Sequence, residues 1–530
     1  MSATQRLFVR QSSGLVRTIS AFGAMVFGVH CISLSSSGLI PFSWVASVWP
    51  GASIIGVLTV AMILGLFHAY TYASIGAAMP RSGADYVLAS RILNPTLAFG
   101  ASWVLALFSG VVAGGLIAWI PGTALPTLLR TIGILFNNQT ATDLATWSAS
   151  STGILVIGTA CVLLTWATML LPTQTIVRIL EVGFFLGLAA WAVIYFALAT
   201  APGPEAFQSA WDRFMGAGSF ASRIDLAVQA GMEYSPNVAI MTLAGLIMGF
   251  WIYYGYYIPT FFAGEVKEAH RNLLIGAWSA LIITWLVFSA ADLLLERLVP
   301  LEWIAAEGYL YNNTDTFAMP WITFYASILR PNVLVVGLIT IGWIYTLINL
   351  AQTYFFYTSR IIFSWAFDRI IPSGIAYVHP RVGSPVVAVT LIAILAEIGV
   401  LDAATRGILA TQLHFVFFAV ITQIVPVLAI TLLPFLKPDL FEAAPRIVRA
   451  KLGSLPVVTL IGAVTLVYLG WMILASFLFP AVGGGIGRGT VLTFLLIFLI
   501  GIAVHVASRL YRLRREGVDL AWTFREIPPV

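Results

Sequence analysis

The chain has 530 residues, of which 60% are hydrophobic and 9% are charged. A soluble domain is about a quarter charged, so this composition excludes a soluble globular protein and predicts an all-α polytopic membrane protein. The net charge of +5 follows the predicted topology and does not indicate nucleic-acid binding. Both cysteines, Cys31 and Cys161, lie in apolar runs and predict no disulfide.

Twelve apolar runs are long enough to be membrane spans, because a helix needs about 20 residues to cross the hydrocarbon core. The first run is longer than the apolar segment of a signal peptide, so we expect it to be retained as a span. The predicted spans are 18–42, 53–78, 95–120, 152–171, 176–199, 236–263, 273–295, 332–362, 385–401, 411–434, 456–479 and 489–508.

The distribution of basic residues predicts the orientation. With the N-terminus inside, 20 of the 27 lysines and arginines fall on the cytoplasmic side, which is the positive-inside pattern. An even number of spans then predicts a multi-pass protein of the cell membrane with both termini in the cytoplasm. Its predicted parts are an N-terminal tail (1–17), a transport core of spans 1–10 (18–434), spans 11–12 with the preceding loop (435–508) and a C-terminal tail (509–530).

Two triplets in the predicted outer loops match the acceptor pattern for N-glycosylation. They are Asn138-Gln-Thr and Asn312-Asn-Thr. The pattern is common by chance, so it indicates at most that these asparagines face the outside.

The sixth predicted span contains a helix break. Within "GFWIYYGYYIPTFFA" (249–263), Gly255 is conformationally permissive, and Pro259 donates no backbone hydrogen bond. The first span holds Gly23, Gly28 and the polar run Ser33–Ser37. Interruptions at corresponding positions of two halves are typical of an inverted-repeat transporter with a site at the midplane. The alternative interpretation is that the glycines serve helix packing and the tyrosines fill the core.

Three stretches of sequence resemble the amino acid–polyamine–organocation (APC) permeases. "MPRSGADYVLASRILNPTLAFGASW" (79–103) resembles the loop between spans 2 and 3 of that family. "FWIYYGYYIPTFFAGEVKEAHRN" (250–272) resembles its span 6, and "SRIIFSWAFDRIIPSGIAYVHPRVGSPVVAV" (359–389) resembles the end of its span 8 and the following loop. The three occur in the family's order, on loops that the charge distribution places inside.

The resemblance implies the APC (LeuT-like) fold, a five-plus-five inverted repeat with broken helices 1 and 6 and two additional C-terminal helices. It also implies a permease, a secondary active transporter (antiporter or symporter) of amino acids or related amines that works by alternating access. Two alternatives stay open: a transporter of another small organic solute, such as a polyamine or organic cation, or a non-transporting sensor or scaffold. An enzyme is not expected, because the spans hold no paired histidines for haem and no compact cluster of catalytic residues.

By analogy with the family, the substrate would bind at the two breaks, with its carboxylate at span 1 and its ammonium group at span 6. The implied substrate-binding residues are Gly23, Phe27, Gly28, Val29, His30, Phe250, Trp251, Tyr253, Tyr254 and Gly255. Span 1 departs from the family, because Phe27-Gly28-Val29-His30 replaces its usual glycine-rich run. Either the break is displaced toward Ser33–Ser37, or the substrate head group is held differently.

The family also suggests which residues open and close the pathway. The implied gating residues are Tyr253, Glu265, Arg81 and Asp368. We expect Asp368 to pair with a nearby arginine such as Arg81 or Arg369. For Glu265 we expect Lys267, Arg271 or a residue of another inner loop.

No lysine lies in any predicted span, so the span-five lysine of many family members has no counterpart. Glu181 and His30 are the candidates for coupling to an ion, which would be H⁺ or Na⁺. Glu181 has an alternative interpretation as the ion-pair partner of Arg178, three residues away. His68 and His414 are interpreted as structural. We expect no metal site and no other cofactor; the expected partners are a small-molecule substrate and the lipid bilayer, and no nucleic acid.

Overall fold

The computed structural model describes residues 14–380, 382–405, 407–409, 414–479 and 486–525. Within these residues, 11 helices are long and apolar enough to cross a membrane, and one shorter apolar helix joins them at the position of the sixth predicted span. The all-α polytopic prediction is therefore confirmed. Most of the predicted N-terminal tail, the first residues of predicted span 10 and the last five residues of the chain lie outside the described residues.

The twelve spans keep the predicted order, and they are numbered here in chain order. Their bounds are Ala21–Val48, Ile54–Ala78, Pro95–Phe136, Ser151–Met169, Thr173–Ala199, Val238–Ile252, Ala269–Glu296, Val333–Phe367, Val386–Ala404, Phe415–Leu436, Val457–Leu478 and Arg488–Tyr511. Span 6 continues as irregular backbone and two short 3₁₀ turns, Ile258–Phe261 and Ala263–Glu265.

Spans 1 and 3 are longer than predicted because each continues through a proline. Pro41 and Pro121 stand at the start of π-helical segments, Pro41–Val45 and Ile120–Ala124. A π-helical turn shifts the hydrogen-bond register, which lets the helix pass a residue that lacks an N–H group. Span 1 therefore reaches Val48, and span 3 reaches Phe136.

The loops contain short helices and one small hairpin. The helices are Ala84–Ile92, Gln139–Ala149, Pro204–Met215, Ser219–Gln229, Leu301–Asn313, Ile322–Leu329, Pro438–Ala443, Arg446–Arg449 and Leu520–Thr523. Further irregular helix lies at Ser373–Ala376 (3₁₀) and Arg512–Glu516 (π). Two-residue antiparallel strands, Lys451–Leu452 and Leu455–Pro456, pair with Lys451 opposite Pro456.

The packing of the spans follows the predicted five-plus-five repeat. Span 3 packs on span 9, and span 8, the repeat equivalent of span 3, packs on span 4. Three further contacts have a repeat equivalent in the same way. The contact of span 1 with span 7 corresponds to that of 6 with 2, the contact of 5 with 8 to that of 10 with 3, and the contact of 1 with 5 to that of 6 with 10. Exchanging each span for the one five places away thus maps these contacts onto each other, as an internal repeat requires. Spans 11 and 12 lie outside this pattern and pack on spans 10 and 3.

The predicted break in span 6 is confirmed. The helix ends at Ile252, and Gly255 has φ +118°, a conformation that favours glycine. A β-carbon at Gly255 would overlap the Cys31 side chain of span 1. The break therefore lies directly against span 1.

Span 1 is interrupted at Ser33. This residue has φ +70° and ψ +110°, between a regular helix that ends at Ile32 and a π-helical segment, Ser33–Ser37. The Ser33 hydroxyl accepts a hydrogen bond from the Ser36 N–H group, as an N-cap residue does at the start of a helix. The outer half of span 1 thus begins within the polar run, where outer and inner refer to the predicted orientation. This favours the displaced break of the two sequence-based alternatives.

A helix of the predicted outer loop, Leu301–Asn313, covers the outer end of span 1. Asn312 Nδ2 donates hydrogen bonds to the Ser43 carbonyl at 2.9 Å, to Ser47 Oγ at 3.0 Å and to the Gly308 carbonyl at 2.9 Å. The side-chain amide therefore joins this helix to span 1.

The close contact at Gly255 generates a stability prediction. We expect Gly255→Val to lower the melting temperature of the detergent-solubilised protein, because a side chain at positive φ costs about 1–3 kcal/mol and overpacking at Cys31 adds to that cost. Thermal unfolding followed by intrinsic fluorescence measures the change. Gly470→Val is the matched control, since a β-carbon at Gly470 meets no atom within 4 Å. Equal melting temperatures for the two variants would contradict the prediction.

Candidate substrate site

The two breaks bring span 1 and span 6 together at the centre of the molecule. Cys31 lies against Gly255, and Ser33 follows two residues later. Gly28 supports the same junction from the inner side, because a β-carbon there would lie 2.9 Å from Ala280 Cβ and 3.2 Å from the Tyr256 carbonyl. Backbone at the break is therefore packed against backbone of span 1.

The break in span 6 leaves backbone groups without partners. In the described part of the chain, the carbonyls of Tyr253, Tyr254 and Tyr256 accept no protein hydrogen bond outside regular helix. The Gly255 carbonyl accepts one from Ile258 N–H at 3.0 Å. Free carbonyl oxygens in a water-poor interior are costly unless a ligand or water meets them. This arrangement suits a cationic or hydrogen-bond-donating group.

Two of the four tyrosines at the break are surrounded mainly by other aromatic rings. Tyr253 stacks on Phe288 of span 7 at 6.5 Å, and its buried hydroxyl has no hydrogen-bond partner among the described residues. Tyr254 lies 4.8 Å from Phe415 of span 10 and 6.5 Å from Tyr354 of span 8, measured between ring centroids. Both side chains are buried.

The other two tyrosines are held by a polar network that joins three spans. Gln423 Nε2 donates to the Tyr257 hydroxyl at 2.7 Å, so Gln423 Oε1 is left to accept from His68 Nε2, also at 2.7 Å. His68 Nδ1 then accepts from the Tyr256 hydroxyl at 2.8 Å. This network fixes the rotation of the broken segment against spans 2 and 10.

Aromatic side chains cover the outer side of the break. Trp251 stacks on Phe415 at 5.1 Å and meets Trp44 of span 1 edge-on at 5.4 Å. Phe250 lies 6.1 Å from Tyr468 of span 11 and 6.2 Å from Tyr254, measured between ring centroids.

The structure places the other predicted span-one residues in regular helix before the break. Gly23 packs on Ile19 and Val177, and Phe27 lies between Phe262 and Phe356 at 4.8 Å from each ring. Val29 is fully buried in the same helix. These three residues support the inner half of the molecule. Their assignment to substrate binding stays a prediction, and the span-one residues that contact the broken segment of span 6 include Gly28 and Cys31.

The inner side is closed around Glu265. Its carboxylate accepts from Arg360 Nε at 2.8 Å and Arg360 Nη2 at 3.1 Å, and both side chains are 1% exposed. Its backbone carbonyl accepts from the N–H groups of Thr18 and Ile19, each at 3.0 Å. Thr173 Oγ1 of span 5 also donates to the carboxylate at 3.3 Å. The ionic partner is therefore Arg360 of span 8 and not Lys267 or Arg271, because the inner part of span 8 packs against the continuation of span 6.

A second buried ion pair closes the inner side between the span 2–3 loop and the end of span 8. Arg91 donates to the Asp368 carboxylate through both terminal nitrogens, at 2.8 and 2.9 Å, and the Tyr86 hydroxyl donates at 2.9 Å. Among the described residues, the ionic partner of Asp368 is thus Arg91 of the loop helix Ala84–Ile92, and not Arg81 or Arg369, which were named as examples from the sequence. Arg81 instead lies with its backbone against Gly264, beside the bridge that pairs Ser82 with Phe262.

Neither predicted coupling residue faces the break. His30 is fully buried, and its Nε2 lies 2.7 Å from the Leu180 carbonyl of span 5. Glu181 lies partly exposed on the same span. The ion pairs of the described chain do not include Glu181 with Arg178. The coupling assignment therefore stays untested, and the geometry does not bring either side chain to the site.

Asp85 is a buried acid near the break that the sequence analysis did not single out. It stands in the first turn of Ala84–Ile92, is 4% exposed, and its Oδ1 has no described hydrogen-bond partner. Asp85 is close enough to Tyr72 and Tyr254 for its carboxylate to interact electrostatically with their phenol groups. Burial raises the pKa of Asp85 to about 7, against the lowering effect of the Tyr86 and Asp85 N–H groups. The signal was present in "RSGADY", where an acid follows a loop glycine.

These features together define a membrane transporter built around two interrupted helices. A family model for amino acid permeases matches residues 15–503. The chain therefore belongs to the amino acid permease family and is a transporter, not an enzyme, as the resemblance implied.

The chain is also similar to named transporters along most of its length. It is 22% identical over 375 residues to the methylthioribose transporter of Bacillus subtilis (strain 168), covering 71% of this chain and 72% of that protein. It is 21% identical over 517 residues to Asc-type amino acid transporter 1 of Homo sapiens, covering 94% of this chain and 84% of that protein. The Mus musculus protein of the same name is 22% identical over 511 residues, with 94% and 83% covered.

The Glu265–Arg360 pair predicts how the inner side is held closed. We expect Glu265→Gln to loosen it, because removing one partner of a buried ion pair costs about 3–5 kcal/mol. The buried Cys31 thiol should then react faster with a membrane-permeant maleimide, measured in a Cys161→Ala background. Glu442→Gln, which removes the acid of an exposed pair with Lys451, should leave the rate unchanged. Equal labelling rates for both variants would show that the pair does not control access.

The pKa of Asp85 predicts a pH-dependent stability. Because the folded-state pKa is raised above the unfolded value of 3.8, its contribution to the free energy of unfolding falls as pH rises from about 4 to about 7. Asp85→Asn should remove this fall, which amounts to a few kcal/mol. Melting temperatures of the wild type and Asp85→Asn across this range measure it, with the exposed Asp225→Asn as control. Parallel pH profiles for all three proteins would contradict the prediction.

Proposed function

We propose that this permease is a secondary active transporter of amino acids or related amines, which it moves across the cell membrane by alternating access. The observation that carries the proposal is the set of unpaired carbonyls of Tyr253, Tyr254 and Tyr256 beside the start of the outer half-helix at Ser33. A helix N-terminus favours an anion, and free carbonyls favour a cation. A zwitterion with its two charges close together satisfies both.

The closed arrangement of the site supports alternating access. Aromatic rings cover the break on the outer side, and two buried ion pairs close the inner side. Tyr253 is proposed as the outer gate, and the ionic partners of Glu265 and Asp368 as the inner one. Since each closure crosses between different spans, relative movement of those spans would open one side at a time. The inner pairs are polar, so water that enters can solvate the separated charges.

A neutral, hydroxyl-bearing solute is the second candidate. Span 1 carries Phe27-Gly28-Val29-His30 where the family has a glycine-rich run, and the unpartnered Tyr253 hydroxyl adds a neutral hydrogen-bonding group. Methylthioribose, the compound in the name of the Bacillus subtilis relative, is an example of such a solute that can be tested. Aromatic faces at the break would pack on its apolar parts, and the tyrosine hydroxyl would bind its hydroxyls.

Uptake into proteoliposomes tests the proposal. Labelled amino acids, polyamines and methylthioribose are supplied with an imposed proton or sodium gradient, and we expect saturable uptake of an amino acid. Gly255→Val should reduce uptake at least tenfold, because it displaces span 1 from the break, while Gly470→Val should transport normally. If a proton gradient drives the uptake, we propose Asp85 as the group that takes up the proton, because it is buried, its Oδ1 has no described partner and its pKa is about 7. Asp85→Asn should then abolish the effect of the gradient and retain exchange.

The same panel separates the alternatives. Uptake of methylthioribose without any amino acid would favour the second candidate. A melting-temperature shift with a ligand, without flux of any compound, would favour a sensor or scaffold and overturn the proposal of transport by this chain.

A further inference from the structure

A basic pocket opens on the side of the molecule predicted to face the cytoplasm. It has a volume of about 620 Å³ and lies between the loop helix Ala84–Ile92, the inner ends of spans 3, 10 and 12, and the C-terminal helix Leu520–Thr523. The side chains of Arg91, Lys437, Arg509 and Arg525 line it, with His505 and the ring of Phe524. This pocket is separate from the break in span 6.

The charge of the pocket favours an anion. Among the described residues that line it, four carry a positive charge and none is acidic. Arg91 is committed to Asp368, and Arg509 Nε lies 3.8 Å from an Asp519 oxygen, which is a loose pair. Lys437, Arg509 and Arg525 are exposed, so their charged groups can turn toward a ligand.

Three of its residues place the pocket at the level of the lipid headgroups. Pro95 is the first residue of span 3, Lys437 follows the last residue of span 10, and Arg509 lies in the last turn of span 12. The end of a spanning helix marks the boundary between hydrocarbon and headgroups. Basic pockets between spans on the cytoplasmic side are suited to anionic headgroups.

The spans beside the pocket offer apolar surface for acyl chains. Leu97 on span 3, Phe435 on span 10 and Leu510 on span 12 are 48%, 60% and 46% exposed, and each lies within a turn of a pocket residue. This apolar surface would not contribute to the binding of a free phosphate ion. A phospholipid would bind both to the basic pocket, through its headgroup, and to the apolar surface, through its acyl chains.

His505 lines the pocket and has a buried polar atom without a described partner. Its Nδ1 lies 3.1 Å from the Thr96 hydroxyl, while its Nε2 has no hydrogen-bond partner among the described residues, and the side chain is 2% exposed. When Thr96 donates to Nδ1, Nε2 carries the proton and is a donor. A phosphate oxygen would satisfy it.

We propose that this pocket binds the phosphate headgroup of an anionic membrane phospholipid. Lys437, Arg509 and Arg525 surround the headgroup, His505 donates from the floor, and the acyl chains lie along spans 3, 10 and 12. The site is independent of the transport function proposed above, because it rests on residues outside the broken helices.

Native mass spectrometry of the full-length protein, titrated with phosphatidylglycerol or phosphatidylcholine, tests the proposal. We expect retention of phosphatidylglycerol over phosphatidylcholine. The triple variant Lys437→Gln, Arg509→Gln, Arg525→Gln should bind it roughly a hundredfold more weakly, since each basic residue near a membrane surface contributes about fivefold. His505→Leu should weaken binding without any change in net charge under neutral conditions.

The control removes the same number of charges from the same face. Arg446→Gln, Arg449→Gln, Arg514→Gln changes three exposed arginines that do not line the pocket, and it should bind phosphatidylglycerol like the wild type. Equal losses in the two triple variants would show attraction by net charge alone and overturn the proposal. Equal retention of both lipids, or displacement of phosphatidylglycerol by inorganic phosphate at millimolar concentration, would overturn it as well.

Discussion

The contact between Gly255 and Cys31 is the constraint on which the centre of this protein depends. A broken helix in hydrocarbon is tolerated only where protein encloses its unpaired backbone. The absence of a side chain at Gly255 lets span 1 provide that enclosure at van der Waals distance. The tyrosines beside the break then point toward spans 2, 7, 8 and 10, and each finds an aromatic or polar neighbour there.

Two kinds of interaction hold the region around the break: a hydrogen-bonded network beside the broken segment, and ion pairs toward the inner end. The link through His68 and Gln423 consists of three hydrogen bonds, so it fixes one face of the broken segment to spans 2 and 10. The ion pairs of Glu265 and Asp368 lie toward the inner end, where charges gain hydration if they separate. We therefore expect relative motion to be easier at the inner end of span 8 than at the level of the break.

Features set by neighbouring residues were predictable from sequence, and features set by distant residues were not. Gly255 and Pro259 act on their own backbone, so the break in span 6 followed from local chemistry. The partner of Glu265 is 95 residues away and that of Asp368 is 277 residues away, so no local charge pattern identified either arginine. The displacement of the first break to Ser33 was one of two open alternatives, because the serine run allows several helix starts. His68 was interpreted as structural, but no local pattern links it to Gln423.

The hydrogen bonds of Asn312 bear on how the protein matures. Its side-chain nitrogen, the atom to which a glycan would be attached, already donates to span 1 and to its own helix. Asn138, in the other acceptor triplet, uses its carbonyl oxygen to cap a helix. A sugar on Asn312 would replace one of the two N–H groups that make these bonds, so it would weaken the docking of the outer helix. In a cell that glycosylates this chain, occupancy at position 312 would record whether the helix had docked before the sugar was transferred.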